Sequence, residues 1–156
     1  MEEKKVLERL QRQCARMEYC VSDIRRKALK AMEGDAEATE RIVASLVKDR
    51  FVDDRRYAAA FAREKASLQG WGPVKIRFQL RGKGVPEADI AAALAEVEPE
   101  KADDKLEKLL SAKAHSLEGD PQFKLKLLKY ALSRGYEYEK IATFVARMAG
   151  RSVAEP

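Results

Sequence analysis

Three glycines recur along this chain at an almost constant interval: Gly34, Gly84 and Gly135 are separated by 50 and 51 residues. A period of this length marks an architecture in which one supersecondary unit is copied and neighbouring copies share core. An anchor pair follows each glycine. Ile90 and Leu94 stand six and ten residues after Gly84, and Ile141 and Val145 hold the same offsets from Gly135. After Gly34 the equivalents are Ile42 and Leu46, two residues further on. The match also extends upstream, with Ile76 and Leu127 each eight residues before their glycine and Ile24 ten before Gly34. A chain with this period must fold as repeats or explain its glycines some other way.

The repeated unit is helical. Hydrophobic residues make up 46% of the chain, charged residues 37% and aromatics 7%. The abundant Ala, Leu, Lys, Arg and Glu lose little side-chain freedom in a helix. In the first unit, Val6, Leu7, Leu10, Cys14 and Met17 trace one face of an opening helix. Ser22 or Asp23 is the candidate N-cap of a second helix through Met32, and a third runs from about Asp35 to Asp49. In the middle unit, Asp53 or Asp54 caps a helix carrying Tyr57, Phe61 and Leu68, which Gly70-Trp71-Gly72 breaks. Pro73 suits the first turn of the next helix, where its missing N–H costs nothing. That helix carries Ile76 and Leu80 and stops at Gly84, a candidate left-handed C′ residue. Pro86 opens the third, with Ile90, Ala93, Leu94 and Val97 at helical spacing. The last unit reads as helices from Pro99 to Leu117, from an Asp120 cap and Pro121 to Gly135, and from Glu137 to Ala149, ended by Gly150. The expectation is an all-α protein of three tandem three-helix repeats, over 1–52, 53–98 and 99–150, with a frayed tail at 151–156. Such repeats are expected to stack into an elongated, curved, solenoid-like array.

Charge is banded along this chain. The formal net charge is +5, and residues 55–84 hold eight Lys/Arg against the single carboxylate of Glu64. The band comprises Arg55, Arg56, Arg63, Lys65, Lys75, Arg77, Arg81 and Lys83. With Ile76 and Leu80 defining the buried stripe, Arg77 and Arg81 fall one turn apart on a flank about 100° away. A guanidinium cluster of this kind suits phosphates or an acidic protein groove; a solvated face with no partner is the plainer reading. Trp71, between two glycines, either fills a gap between units or stands out as an interface anchor. Phe78 points away from the Ile76 stripe and is expected to pack on a neighbouring unit. Tyr57 and Phe61, one turn apart, read as core, and Asp53 and Asp54 as capping residues beside a helix dipole rather than a catalytic or metal pair.

No catalytic constellation emerges. His115 is the only histidine, which leaves most metal sites and the usual general base without a candidate. Gly82-Lys83 lacks the upstream glycine of a phosphate-binding loop, and Gly70-Trp71-Gly72 lacks the rest of a dinucleotide fingerprint. Cys14 and Cys20 read as ordinary reduced thiols. No run of about 18 apolar residues offers a membrane span, and the N-terminus leads into an amphipathic pattern rather than a signal-peptide block. A cytoplasmic binding protein without cofactor or metal, and not an enzyme, is the expectation.

One stretch resembles a known family. Phe51-Val52-Asp53-Asp54-Arg55-Arg56-Tyr57-Ala58, then Phe61, Gly72, Ile76, Leu80, Lys83-Gly84-Val85, Ile90 and Leu94, is similar to the core signature of RecX proteins, bacterial regulators of the RecA recombinase. The resemblance is strongest over residues 51–94; the outer units match mostly in hydrophobic spacing and in Gly135-Tyr136. It implies tandem three-helix repeats, no cofactor, and a monomer that binds along the groove of a RecA filament on DNA. There it would damp ATP hydrolysis, strand exchange and the co-protease activity of the damage response. The alternatives left by the residues themselves are a stand-alone basic DNA-binding module and a scaffold that binds only protein.

Overall fold

All three periodic glycines adopt the left-handed conformation, with φ of 87° at Gly34, 74° at Gly84 and 92° at Gly135. At Gly84 the chain turns through a bond from Val85 N–H to Leu80 O at 3.2 Å, the closure expected after a helix C-terminus. The computed structural model describes the backbone of residues 2–154 and the side chains of residues 2–148. Among these residues there are nine helices and no strand. They are α1 (Glu3–Arg16), α2 (Val21–Ala31), α3 (Ala36–Lys48), α4 (Asp54–Ser67), α5 (Pro73–Gly82), α6 (Glu87–Ala95), α7 (Pro99–Ser116), α8 (Phe123–Ser133) and α9 (Tyr138–Ala154). The fold is all-α, as the composition requires. Among the described residues, no helix is long and apolar enough to cross a membrane.

The chain divides into two compact units, one formed by 1–61 with 79–93 and the other by 62–78 with 94–156. In the first, α1, α2 and α3 pack on one another. Their core joins Val6, Leu10 and Cys14 to Ile24, Ala28, Ile42, Leu46 and Val52. In the second, α7, α8 and α9 do the same around Leu106, Leu110, Leu127, Tyr136, Ile141 and Val145. Helices α4, α5 and α6 each contribute residues to both units. The anchors read from the glycine period are buried throughout: Ile24, Ile42, Leu46, Ile76, Ile90, Leu127, Ile141 and Val145 are at most 1% exposed. Leu94 alone is half-buried.

Several local expectations are corrected. Helix α2 begins at Val21, not after Ser22 or Asp23, and its first N–H donates to Asp54 Oδ1 at 2.9 Å. Asp53 caps its own helix by accepting from Arg56 N–H at 3.1 Å, so the two adjacent aspartates serve different helices. Ser22 instead donates its hydroxyl to Lys83 O at 2.6 Å. Helix α8 starts at Phe123 because Asp120 closes a short turn, accepting from Gln122 N–H at 2.8 Å, and pairs with Lys126. Met17 lies past the end of α1 and is exposed, and Leu68 lies past the end of α4 and is exposed too. Helix α9 continues through Gly150 to Ala154 instead of fraying from 151. A mid-helix glycine costs only about 1 kcal/mol relative to Ala, too little to stop a helix by itself. Glu155 and Pro156 lie outside the described residues. Both cysteines are free and buried, and they sit on different elements, Cys14 in α1 and Cys20 at the N-cap of α2.

Candidate nucleic-acid interface

The basic band is built around the break between α4 and α5, and in the second unit that break is tied down by backbone. Gly72 N–H donates to Arg134 O at 2.7 Å and Val74 N–H to Gly135 O at 2.9 Å. The buried Tyr136 hydroxyl donates to Gly70 O at 2.9 Å, and Arg134 Nη2 donates to Gln69 O. Removal from water pushes the Tyr136 phenol up to about 12, so it remains a donor at any physiological pH. The approach is close enough that a Cβ on Gly72 would strike the Gly135 carbonyl, and one on Gly135 would strike Lys75. Glycine at both positions is therefore a packing requirement. Sequence reading places Gly70, Gly72 and Gly135 as helix breakers and misses that they meet. The Gly135-Tyr136 pair is the signal in the sequence that bears on it.

This seam holds Trp71. Its indole is half-buried, with the Lys75 ammonium 4.3 Å and the Lys65 ammonium 5.0 Å from a ring centroid, within cation–π range. Trp71 also lines a cavity of about 210 Å³ in the second unit, with Ile76, Val97, Tyr136 and Lys140 among its other walls. The ring is thus neither fully covered nor fully exposed. Phe78 does not pack away as expected. It is 72% exposed, because Ile76 and Leu80 already fill the buried face of α5 and Phe78 projects from the opposite side.

The eight cations do not form one undifferentiated patch. Arg55, Arg56, Arg81 and Lys83 belong to the first unit; Arg63, Lys65, Lys75 and Arg77 belong to the second. Within the first unit, Arg56 pairs with Glu18 at 2.6 Å, Arg81 with Glu87 at 3.0 Å, and Lys83 with Asp23 at 3.0 Å. Burial opposes ionisation of Asp23, but hydrogen bonds from Lys83 and Cys20 hold its carboxyl below the ordinary range. Asp54 goes the other way, because burial raises its carboxyl more than the Val21 N–H lowers it. Arg55 and Arg63 are exposed; Lys65, Lys75 and Arg77 are half-buried. Tyr57 and Phe61 are half-buried against each other, with ring centroids 5.9 Å apart. An exposed ion pair such as Arg81–Glu87 contributes only about 0–1 kcal/mol, so a phosphate can displace its carboxylate at little cost. Among the described residues no group of three or more His, Cys, Asp or Glu is placed to hold a metal ion.

Comparison with known proteins includes one match confined to this region and others that span most of the chain. Residues 53–94 match the family model described as RecX, second three-helix domain. A protein named Regulatory protein RecX from Oceanobacillus iheyensis is 30% identical over 122 residues, which cover 77% of this chain and 45% of that protein. Its namesake from Bacillus cereus is 31% identical over 102 residues, covering 64% of this chain and 38% of that protein. The chain thus spans less than half the length of these curated relatives. A crystal structure of regulatory protein RecX superposes with a TM-score of 0.82 at 26% identity, covering 91% of this chain and 70% of that one. Another, of RecX from Lactobacillus salivarius, gives a TM-score of 0.79 over 94% of this chain and 96% of that one. At 18% identity, this second likeness is one of fold alone.

Proposed function

The chain belongs to the RecX family, and we propose that it regulates the RecA recombinase by binding the RecA filament on DNA. Bound there, it damps the filament's ATP hydrolysis, strand exchange and co-protease activity, as a cytoplasmic monomer acting by binding rather than catalysis. The observation that carries this reading is a coincidence of positions. The residues that match the RecX second three-helix domain, 53–94, contain the whole basic band: every one of the eight cations from Arg55 to Lys83 lies inside them.

Guanidinium and ammonium groups at this density recognise phosphate oxygens and protein carboxylates alike. A filament groove offers both at once, whereas naked DNA offers only phosphates. Binding to DNA alone is therefore weak and falls steeply with salt, because it rests on counterion release. Binding to the RecA–DNA filament is firmer and less sensitive to salt. The test compares the two in parallel salt titrations. Tight binding to naked DNA with no gain from RecA would favour a stand-alone DNA-binding module, and binding to RecA without DNA dependence a protein-only scaffold.

A further inference from the structure

We propose that the cavity beside Trp71 captures one unstacked base of a single-stranded nucleic acid; this rests on the reading of the chain as a regulator that works on DNA. At about 210 Å³ the cavity is smaller than the ~300–1,000 Å³ of sites for drug-sized ligands, so it holds one ring system rather than an extended molecule. Its walls are those of a base-stacking site. Trp71 and Tyr136 supply aromatic surface, Ile76 and Val97 aliphatic surface, and Ala66 and Ala102 leave room between them.

An apolar protein side chain would satisfy these walls too, and the charge around Trp71 decides between them. The Lys75 and Lys65 ammonium groups, 4.3 and 5.0 Å from the Trp71 ring, place two positive charges beside this wall, and with Lys140 of the lining they outnumber the lining's one carboxylate, Glu137. A nucleotide has a phosphodiester on each side of its base to meet them, while an aliphatic or aromatic peptide side chain gains nothing from their presence. Trp71 is held in place for this role by the backbone seam through Gly72, whose N–H donates to Arg134 O at 2.7 Å. The wall is preorganised rather than assembled on binding.

The chain has a single tryptophan, so its fluorescence reports directly from the cavity. The experiment titrates the full chain with a labelled oligodeoxycytidine and with an abasic oligomer of equal length and charge, at salt high enough to screen long-range attraction. The base-bearing strand is expected to bind about fivefold or more tightly and to alter Trp71 emission, as base–aromatic stacking implies, while the abasic strand leaves the emission unchanged. Ala102→Leu, which fills the cavity, removes the preference and leaves the abasic affinity as it was; Ala66→Leu serves if Ala102→Leu loses its helical signal. Equal affinity for the two strands, or a preference that survives a folded cavity-filling variant, overturns the proposal. Equal, salt-sensitive binding of both strands overturns base capture and leaves filament regulation standing. A base preference without any effect on a RecA filament supports base capture and counts against filament regulation.

Discussion

Gly72 and Gly135 are glycines at which a Cβ would meet backbone atoms at less than 3 Å. Adding a methyl group at Gly72 drives it into the Gly135 carbonyl, a backbone atom that cannot move aside. Gly72→Ala is expected to lower stability by about 1–3 kcal/mol, the usual cost of overpacking. Gly82→Ala is the matched control, since nothing lies within 4 Å of a Cβ there; urea unfolding of the two variants separates a steric effect from a general glycine effect. The Asp23–Lys83 pair makes a second residue-scale prediction. Asp23 titrates lower in the folded chain than its ordinary value of 3.8, so its contribution to stability is complete above that value and is lost as pH falls through the folded one. Stability of Asp23→Asn should therefore decline less on acidification over this range than that of the unmodified chain, as read from unfolding midpoints against pH. Such ties were not legible in the sequence. Asp54 caps a helix whose first residue lies 33 positions away, and Lys83 meets a carboxylate 60 positions away. Capping chemistry predicts that an aspartate beside a helix start will accept from backbone N–H groups, but not which helix supplies them.

At the scale of elements, most of the fold was written in the spacing. The left-handed glycines and the prolines at first turns fix where helices stop and start because they act through the local backbone. The i, i+3, i+4 anchors fix the buried faces for the same local reason. At α2 and α8 the boundary was misplaced because a distant or competing group intervened, and at α9 because Gly150 alone is too weak a stop. Helix α5 shows the division most clearly. Its buried face was predicted from Ile76 and Leu80, yet the fate of the opposite face depended on whether a neighbour covers it, and Phe78 is left 72% exposed. Two substitutions check this account of the middle helices. Ile90→Ala, which empties a fully buried position on α6, is expected to cost about 2–5 kcal/mol. Phe78→Ala should change stability by no more than about 0.5 kcal/mol, as surface substitutions do. A large loss for Phe78→Ala in thermal unfolding would mean that its ring is covered after all.

For the whole molecule, the basic band and the family match coincide. Helices α1–α3 and α7–α9 supply two well-packed cores, and the stretch of sequence from 53 to 94 carries the basic band and the match to the RecX second three-helix domain. Fold class and family were legible because they rest on periodicity and on a short signature. The candidate surface was less so: Arg56, Arg81 and Lys83 are engaged by carboxylates of the same unit, and the cavity at Trp71 is lined by residues as far apart in sequence as Ala66 and Lys140. Arg77→Glu combined with Arg81→Glu reverses two charges on α5, one half-buried and one exposed, and breaks the weak surface pair Arg81–Glu87. The double variant should keep its helical content by circular dichroism and lose its effect on RecA; normal regulation by a folded double variant would reduce these arginines to solvated surface. The central claim itself is tested most directly by titrating the full chain into a cognate RecA–single-stranded DNA filament and following ATP hydrolysis. The account predicts a dose-dependent fall in the hydrolysis rate. An unchanged rate at several-fold excess over RecA would contradict it.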